Sequence, residues 1–98
     1  MSASIAIQVL PQAENNQELC RIVDEVIAYI AGTGLRYEVG PFETTIEGNS
    51  YDELMEIAKE SQKVAVRAGA SKVSAYIKVN YCPEGNFLTI DQKIGKYR

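Results

Sequence analysis

From Ser4 to Leu10 apolar and polar residues alternate, with Ile5, Ile7 and Val9 on one side and Ser4, Ala6 and Gln8 on the other. A period of two is the signature of a strand with one buried face. Pro11 has no N–H to donate and is expected to stop this first ladder. From Asn15 the period lengthens. Leu19, Ile22, Val23, Val26, Ile27 and Ile30 follow the i, i+3, i+4, i+7 spacing of an amphipathic helix. Asn15 and Glu18 are spaced as a capping box at its start, and Gly32 and Gly34 end it.

Alternation then returns. Leu35, Tyr37 and Val39 oppose Arg36 and Glu38, Gly40-Pro41 makes a turn, and Thr44 and Ile46 oppose Glu43, Thr45 and Glu47, which predicts a hairpin of two strands. Ser50 and Glu53 are spaced as a second capping box. The narrow stripe of Leu54, Ile57, Ala58, Ser61, Val64, Ala65 and Ala68 predicts a helix that ends at Gly69 and lies close to a sheet. The last strand is the longest and most regular, with Val73, Ala75, Ile77 and Val79 opposing Ser74, Tyr76, Lys78 and Asn80. Pro83-Glu84-Gly85-Asn86 is a turn, and Thr89 to Tyr97 is expected to form a short helical tail. The pattern strand, helix, Ala-Gly, strand occurs twice, with Ala31-Gly32 and Ala68-Gly69 at matching places. Two such halves joined by a hairpin give a βαββαβ α+β sandwich of the ferredoxin-like kind over residues 1–98. Its four-stranded antiparallel sheet is expected in the order 4-1-3-2, with both helices on one face.

A chain of 98 residues that is 46% apolar can build one core. At this size only about 60 to 65% of the unfolded chain's surface is buried on folding, so self-association is expected to cover part of the rest. The net charge of -3, with basic residues scattered, gives no nucleic-acid footprint and no polybasic membrane patch. No apolar run approaches the roughly 18 to 20 residues of a membrane span, and MSASIAIQVL has no basic region before its apolar segment, so a cytoplasmic protein is expected. There is no histidine, and Cys20 and Cys82 stand far apart, so neither a metal site nor a cofactor is expected and both cysteines read as reduced thiols.

The face of the sheet away from the helices would carry Gln8, Glu38, Thr45, Glu47, Ser74, Tyr76 and Lys78. Several of these are short or flat groups suited to hydrogen bonding and stacking, although each also fits a plain solvated or subunit-covered sheet position. Enzyme signatures are missing. Without histidine there is no imidazole acid or base and no Ser-His or Cys-His pair, and Gly32-Thr33-Gly34 lacks the rest of a dinucleotide loop. Glu38 and Glu47 on neighbouring strands could form an acid/base pair, yet acids on an exposed sheet are usually surface charge. The same topology serves RNA-binding domains, but PFETTIEG offers one aromatic and two acids where those carry a basic, aromatic-rich strand. The CxxC of ferredoxin-like copper chaperones is absent too.

Val9-Leu10-Pro11, the hairpin from Gly34 through Tyr37 to Gly40-Pro41, Thr44-Thr45-Ile46-Glu47-Gly48 and the run Ala68 to Ser74 together resemble the small thiamine-binding protein family, whose larger relatives are the YkoF-type hydroxymethylpyrimidine/thiamine-binding proteins. The likeness spans nearly the whole chain. It implies a ferredoxin-like subunit, assembly into dimers and tetramers through the sheets, and binding of thiamine or its pyrimidine precursor without turnover. Carried onto matching positions, it points to Tyr37, Thr45 and Glu47, and with them Tyr76 and Lys78. The segment Tyr81 to Phe87 matches no family motif.

Such a ligand suits these side chains. Thiamine joins a flat aminopyrimidine, which seeks stacking and a carboxylate or amide partner, to a cationic thiazolium, which favours aromatic faces and acidic surroundings. Tyr76 or Tyr37 can stack, Glu47 can accept from the exocyclic amine, and Thr45 and Gln8 can fix orientation. The rival expectation is an oligomeric structural or regulatory module whose polar sheet face is a subunit interface. Under either, a homodimer or homotetramer is expected, because a long last strand at the sheet edge leaves unpaired backbone that proteins usually cover. Stacking of the open faces would bury Tyr76 and place the ligand site between subunits.

Overall fold

The computed structural model describes residues 2–98. Its strands are β1 (Ala3–Gln12), β2 (Arg36–Val39), β3 (Thr44–Gly48) and β4 (Lys72–Tyr81), and its long helices are α1 (Asn16–Gly32) and α2 (Tyr51–Arg67). A short helix, α3 (Ile90–Ile94), runs into a 3₁₀ turn at Gly95–Tyr97. The antiparallel sheet has the order β2-β3-β1-β4, which is 4-1-3-2 read from the other edge. Ile5 stands between Ile46 and Val79, and Ile7 between Thr44 and Ile77, so the odd residues of β1 form the floor on which α1 and α2 pack. Ile5, Ile22, Ile30, Ile46 and Leu54 are fully buried there, each worth about 1.5 to 3 kcal/mol of apolar burial. Ala58 and Ala65 let α2 approach closely, and the buried hydroxyl of Ser61 donates to the carbonyl of Ile57 at 2.8 Å.

Pro11 does not stop β1, contrary to expectation: the ladder with β4 continues through Pro11 opposite Val73 to Gln12 opposite Lys72. The reason is geometric. The carbonyls of Ser2 and Gln12 accept from Cys82 and Ser71, so the even residues of this strand present their backbone groups to the β4 side. Pro11 faces the opposite way, and there the pairing with β3 has already ended at Ile7 opposite Thr44. The missing N–H therefore costs no ladder bond.

The expected caps are only half made. Asn15 accepts from the N–H of Glu18 at 2.8 Å and Ser50 from that of Glu53 at 3.1 Å, but Glu18 turns to Arg21 at 2.6 Å instead of reaching back. The reciprocal box is found in α3, between Thr89 and Gln92. Gly34 and Gly69, with φ of 80° and 121°, take the left-handed conformations that let the chain leave each long helix for the next strand.

The largest departure from the sequence reading lies in the tail. Its short helix falls where expected, but it packs on the sheet face opposite α1 and α2. That face is thus only partly open: the tail covers its β2–β3 half, and the β4 half stays bare.

Candidate functional site

Strand register sets the side chains of the second face in rows. Glu38, Thr45, Ala6 and Lys78 form one row, and Arg36, Glu47, Ser4 and Asn80 the next. Ala6 and Ser4 are small, so the middle of this face is shallow, and the longer groups rise on both sides. The N–H of Ile90 donates to Glu47 Oε2 at 2.8 Å, with Ile90 and Glu47 each only 4% exposed. Two ion pairs finish the attachment. Arg36 holds Asp91 through two contacts of 2.7 and 3.4 Å, and Arg98 reaches Glu38 Oε1 at 3.1 Å. Arg36 also donates to the carbonyl of Tyr37. Hydrogen bonding to Arg36, reinforced by its charge, holds the Asp91 carboxyl below the usual aspartate range, and the same bond raises Arg36.

Between the β2–β3 turn and α3 lies a cleft of about 330 Å³. Phe42, Pro41, Ile90 and Ile94 give it apolar walls, and Glu38, Glu43 and Thr45 supply oxygens. Phe42 is 79% exposed, so its ring is open to solvent at the mouth of the cleft. Thr45 and Lys93 also line a neighbouring depression of about 230 Å³, floored by Ser4 and Ala6 and bounded by Lys78 and Asn80. Lys78 closes its far side by pairing with Glu43 at 3.1 Å. The cleft also carries Lys93 and Arg98, so its two carboxylates are matched by two cations.

The structure brings Thr45, Glu47 and Lys78 onto this face, with Thr45 between the two hollows and Lys78 on the rim of one. Glu47 lies beneath the tail, one carboxylate oxygen already engaged by Ile90. Gln8 shares the face but stands opposite Tyr76, away from both hollows, and Tyr76 is 66% exposed. Tyr37 is not on this face: it pairs with Ile46 and packs against the core beside the helices. The alternation of Tyr37 with Arg36 and Glu38 already carried that signal. Phe42, Ile90, Ile94, Lys93 and Arg98 were not singled out from sequence. The i, i+4 isoleucines after Thr89 were the legible trace of an apolar tail face, but nothing local says which surface that face meets.

Among the described residues no group of three or more cysteine, aspartate or glutamate side chains is placed to hold a metal ion, and no helix is long and apolar enough to cross a membrane.

Three comparisons bear on this site. Residues 5–98 match the family model described as "Thiamine-binding protein". A UPF0045 protein of Clostridium perfringens is 43% identical over 97 residues, covering 99% of this chain and 98% of that one. Among solved structures, a domain of unknown function from Bacillus cereus superposes with a TM-score of 0.86 at 39% identity, covering 100% of this chain and 91% of that one. A Thermotoga maritima protein, provisionally assigned to thiamine biosynthesis or salvage, superposes with a TM-score of 0.82 at 32% identity over 100% of both chains.

Proposed function

Because the chain belongs to the thiamine-binding protein family, we propose that it binds thiamine or its hydroxymethylpyrimidine precursor, without chemical turnover, in the cleft between the β2–β3 turn and α3. The observation that carries this reading is the composition of that cleft: an exposed aromatic ring at Phe42, aliphatic walls from Ile90 and Ile94, and the carboxylates of Glu38 and Glu43 around Thr45. A ring that stacks, a cation that seeks acidic surroundings and an amine that seeks an acceptor are each answered once. Glu47 and Lys78 lie on the same face below and beside the cleft, and Gln8 and Tyr76 lie on that face further off, toward β4. The chain has no histidine, and the carboxylates in and beneath the cleft are engaged by Arg98, Lys78 and a backbone amide. Binding alone is the simpler use of such a site. Isothermal calorimetry with thiamine and with hydroxymethylpyrimidine is the test; no heat with either at millimolar concentration removes the reading.

A second copy of this chain is the expected partner. Strand β4 forms an edge ten residues long, and Tyr76, Ile77, Val79 and Tyr81 along it are 37 to 66% exposed. Pairing two such edges about a two-fold axis would satisfy the free backbone groups and cover apolar surface on both faces of the sheet.

A further inference from the structure

We propose that Glu38 selects cationic over uncharged ligands in the cleft, and that Arg98 is an internal cation which such a ligand must displace. The inference rests on the ligand reading above and adds to it the basis of charge discrimination.

The lining of the cleft carries two acids, Glu38 and Glu43, and two bases, Lys93 and Arg98. With Arg98 in place the lining is balanced; without it, one negative charge is in excess. The two carboxylates are paired differently: each holds one cation at 3.1 Å, but the partner of Glu43 lies outside the lining of the cleft and that of Glu38 lies within it. Glu43 is tied to Lys78, which reaches it from β4 across the sheet. Glu38 gives Oε1 to Arg98, and its Oε2 meets Arg36 only at the longer distance of 3.5 Å. Arg36 in turn directs its shorter bonds to the carbonyl of Tyr37 and to Asp91, the latter at 2.7 Å, so it does not fully compensate Glu38. Removing Arg98 would leave a carboxylate facing the cleft with one weak partner.

Arg98 is held loosely enough to leave. Its contact is a single bond from Nε rather than a two-pronged one, and its side chain is 57% exposed, against 30% for Glu38. An exposed pair of this kind contributes little and exchanges readily. The adjoining 3₁₀ turn has no buried residue, unlike α3, where Ile90 is held by burial and by Glu47. Arg98 can therefore swing out while α3 stays docked, and a thiazolium or another organic cation can take its position against Glu38 without rebuilding the walls.

Calorimetry on the full chain tests this with Arg98→Gln, Arg98→Lys and the double variant Arg98→Gln/Glu38→Gln, each titrated with cationic thiamine and with uncharged hydroxymethylpyrimidine. Arg98→Gln is expected to tighten thiamine about two- to fivefold, the scale of an exposed ion pair, and to leave hydroxymethylpyrimidine unchanged. Added salt should shrink the gain, Arg98→Lys should stay near wild type, and the double variant should lose the gain. Equal thiamine affinity for wild type and Arg98→Gln overturns the role of Arg98 while leaving the binding reading intact. Tightening of both ligands alike also overturns it, since that would mark a steric rather than a charge effect. If neither ligand binds wild type or variant, the binding reading falls and this inference with it.

Discussion

The carboxylate of Glu47, in the centre of the sheet, accepts the backbone N–H of Ile90 at 2.8 Å, so a strand side chain fastens the first turn of a helix 43 residues further along the chain. Two substitutions separate this anchoring from ligand contact. Glu47→Gln keeps an amide oxygen for Ile90 and should barely change stability. Glu47 does not line the cleft, so thiamine binding should change by less than about 1 kcal/mol; a loss of about 1.5 to 3 kcal/mol, the scale of a hydrogen bond to a charged group, would place its carboxylate on the ligand. Glu47→Ala leaves the Ile90 N–H buried without an acceptor, at a cost of about 1 to 3 kcal/mol in docking the tail. Calorimetry and amide exchange at residue 90 read the two effects separately.

Ile90 and Ile46 are both buried, at 4% and 0% exposed, but they belong to opposite faces of the sheet. Ile46→Ala opens a void in the main core and should lower global stability by about 2 to 5 kcal/mol. Ile90→Ala should instead raise hydrogen exchange in residues 89–97 and leave the denaturation midpoint nearly unmoved, because the tail can open while β1, β3 and the long helices stay folded. A midpoint shift as large as that of Ile46→Ala would show that the tail is part of the cooperative core.

Acid should release the tail through Asp91. Its carboxyl is held below the ordinary range by the hydrogen bond to Arg36. A group with a lowered folded-state value favours docking at pH above its unfolded value, near 3.9, and that contribution disappears as pH falls through the folded value. Exchange protection in α3 should thus persist at neutral pH and fall below about pH 4. Asp91→Asn should start with less protection and lose the part of the pH dependence that Asp91 carries. An acid response identical in Asp91→Asn and wild type would assign the release to other carboxylates.

The proposed pairing of β4 edges is tested by sedimentation at micromolar concentration. A homodimer or a dimer of dimers is the expected species, and a clean 10.8 kDa monomer would reject the pairing. Adding a charge where apolar surface would be covered, as in Val79→Lys, should shift the distribution toward monomer with little loss of secondary structure, since Val79 is already 43% exposed in the single subunit.

The alternation of Ile5, Ile7, Val73, Ala75, Ile77 and Val79 and the helical spacing of Ile22, Val26 and Ile30 were enough to determine the element order and the ferredoxin-like sandwich, because the hydrophobic period is a local property of the chain; that Ile77 and Val79 stay 37% and 43% exposed on the edge strand was not legible there. They also placed Thr45, Glu47 and Lys78 on the face away from the long helices. Tertiary structure decided the rest. That Pro11 is harmless depends on how far β3 extends along β1. The cleft exists only because residues 83–98 return to the sheet, where Ile90, Asp91 and Arg98 meet Glu47, Arg36 and Glu38 across separations of 43, 55 and 60 positions. No local pattern specifies such meetings. They are fixed by which buried carboxylate lacks a donor and which apolar patch lacks a cover once the sheet has formed.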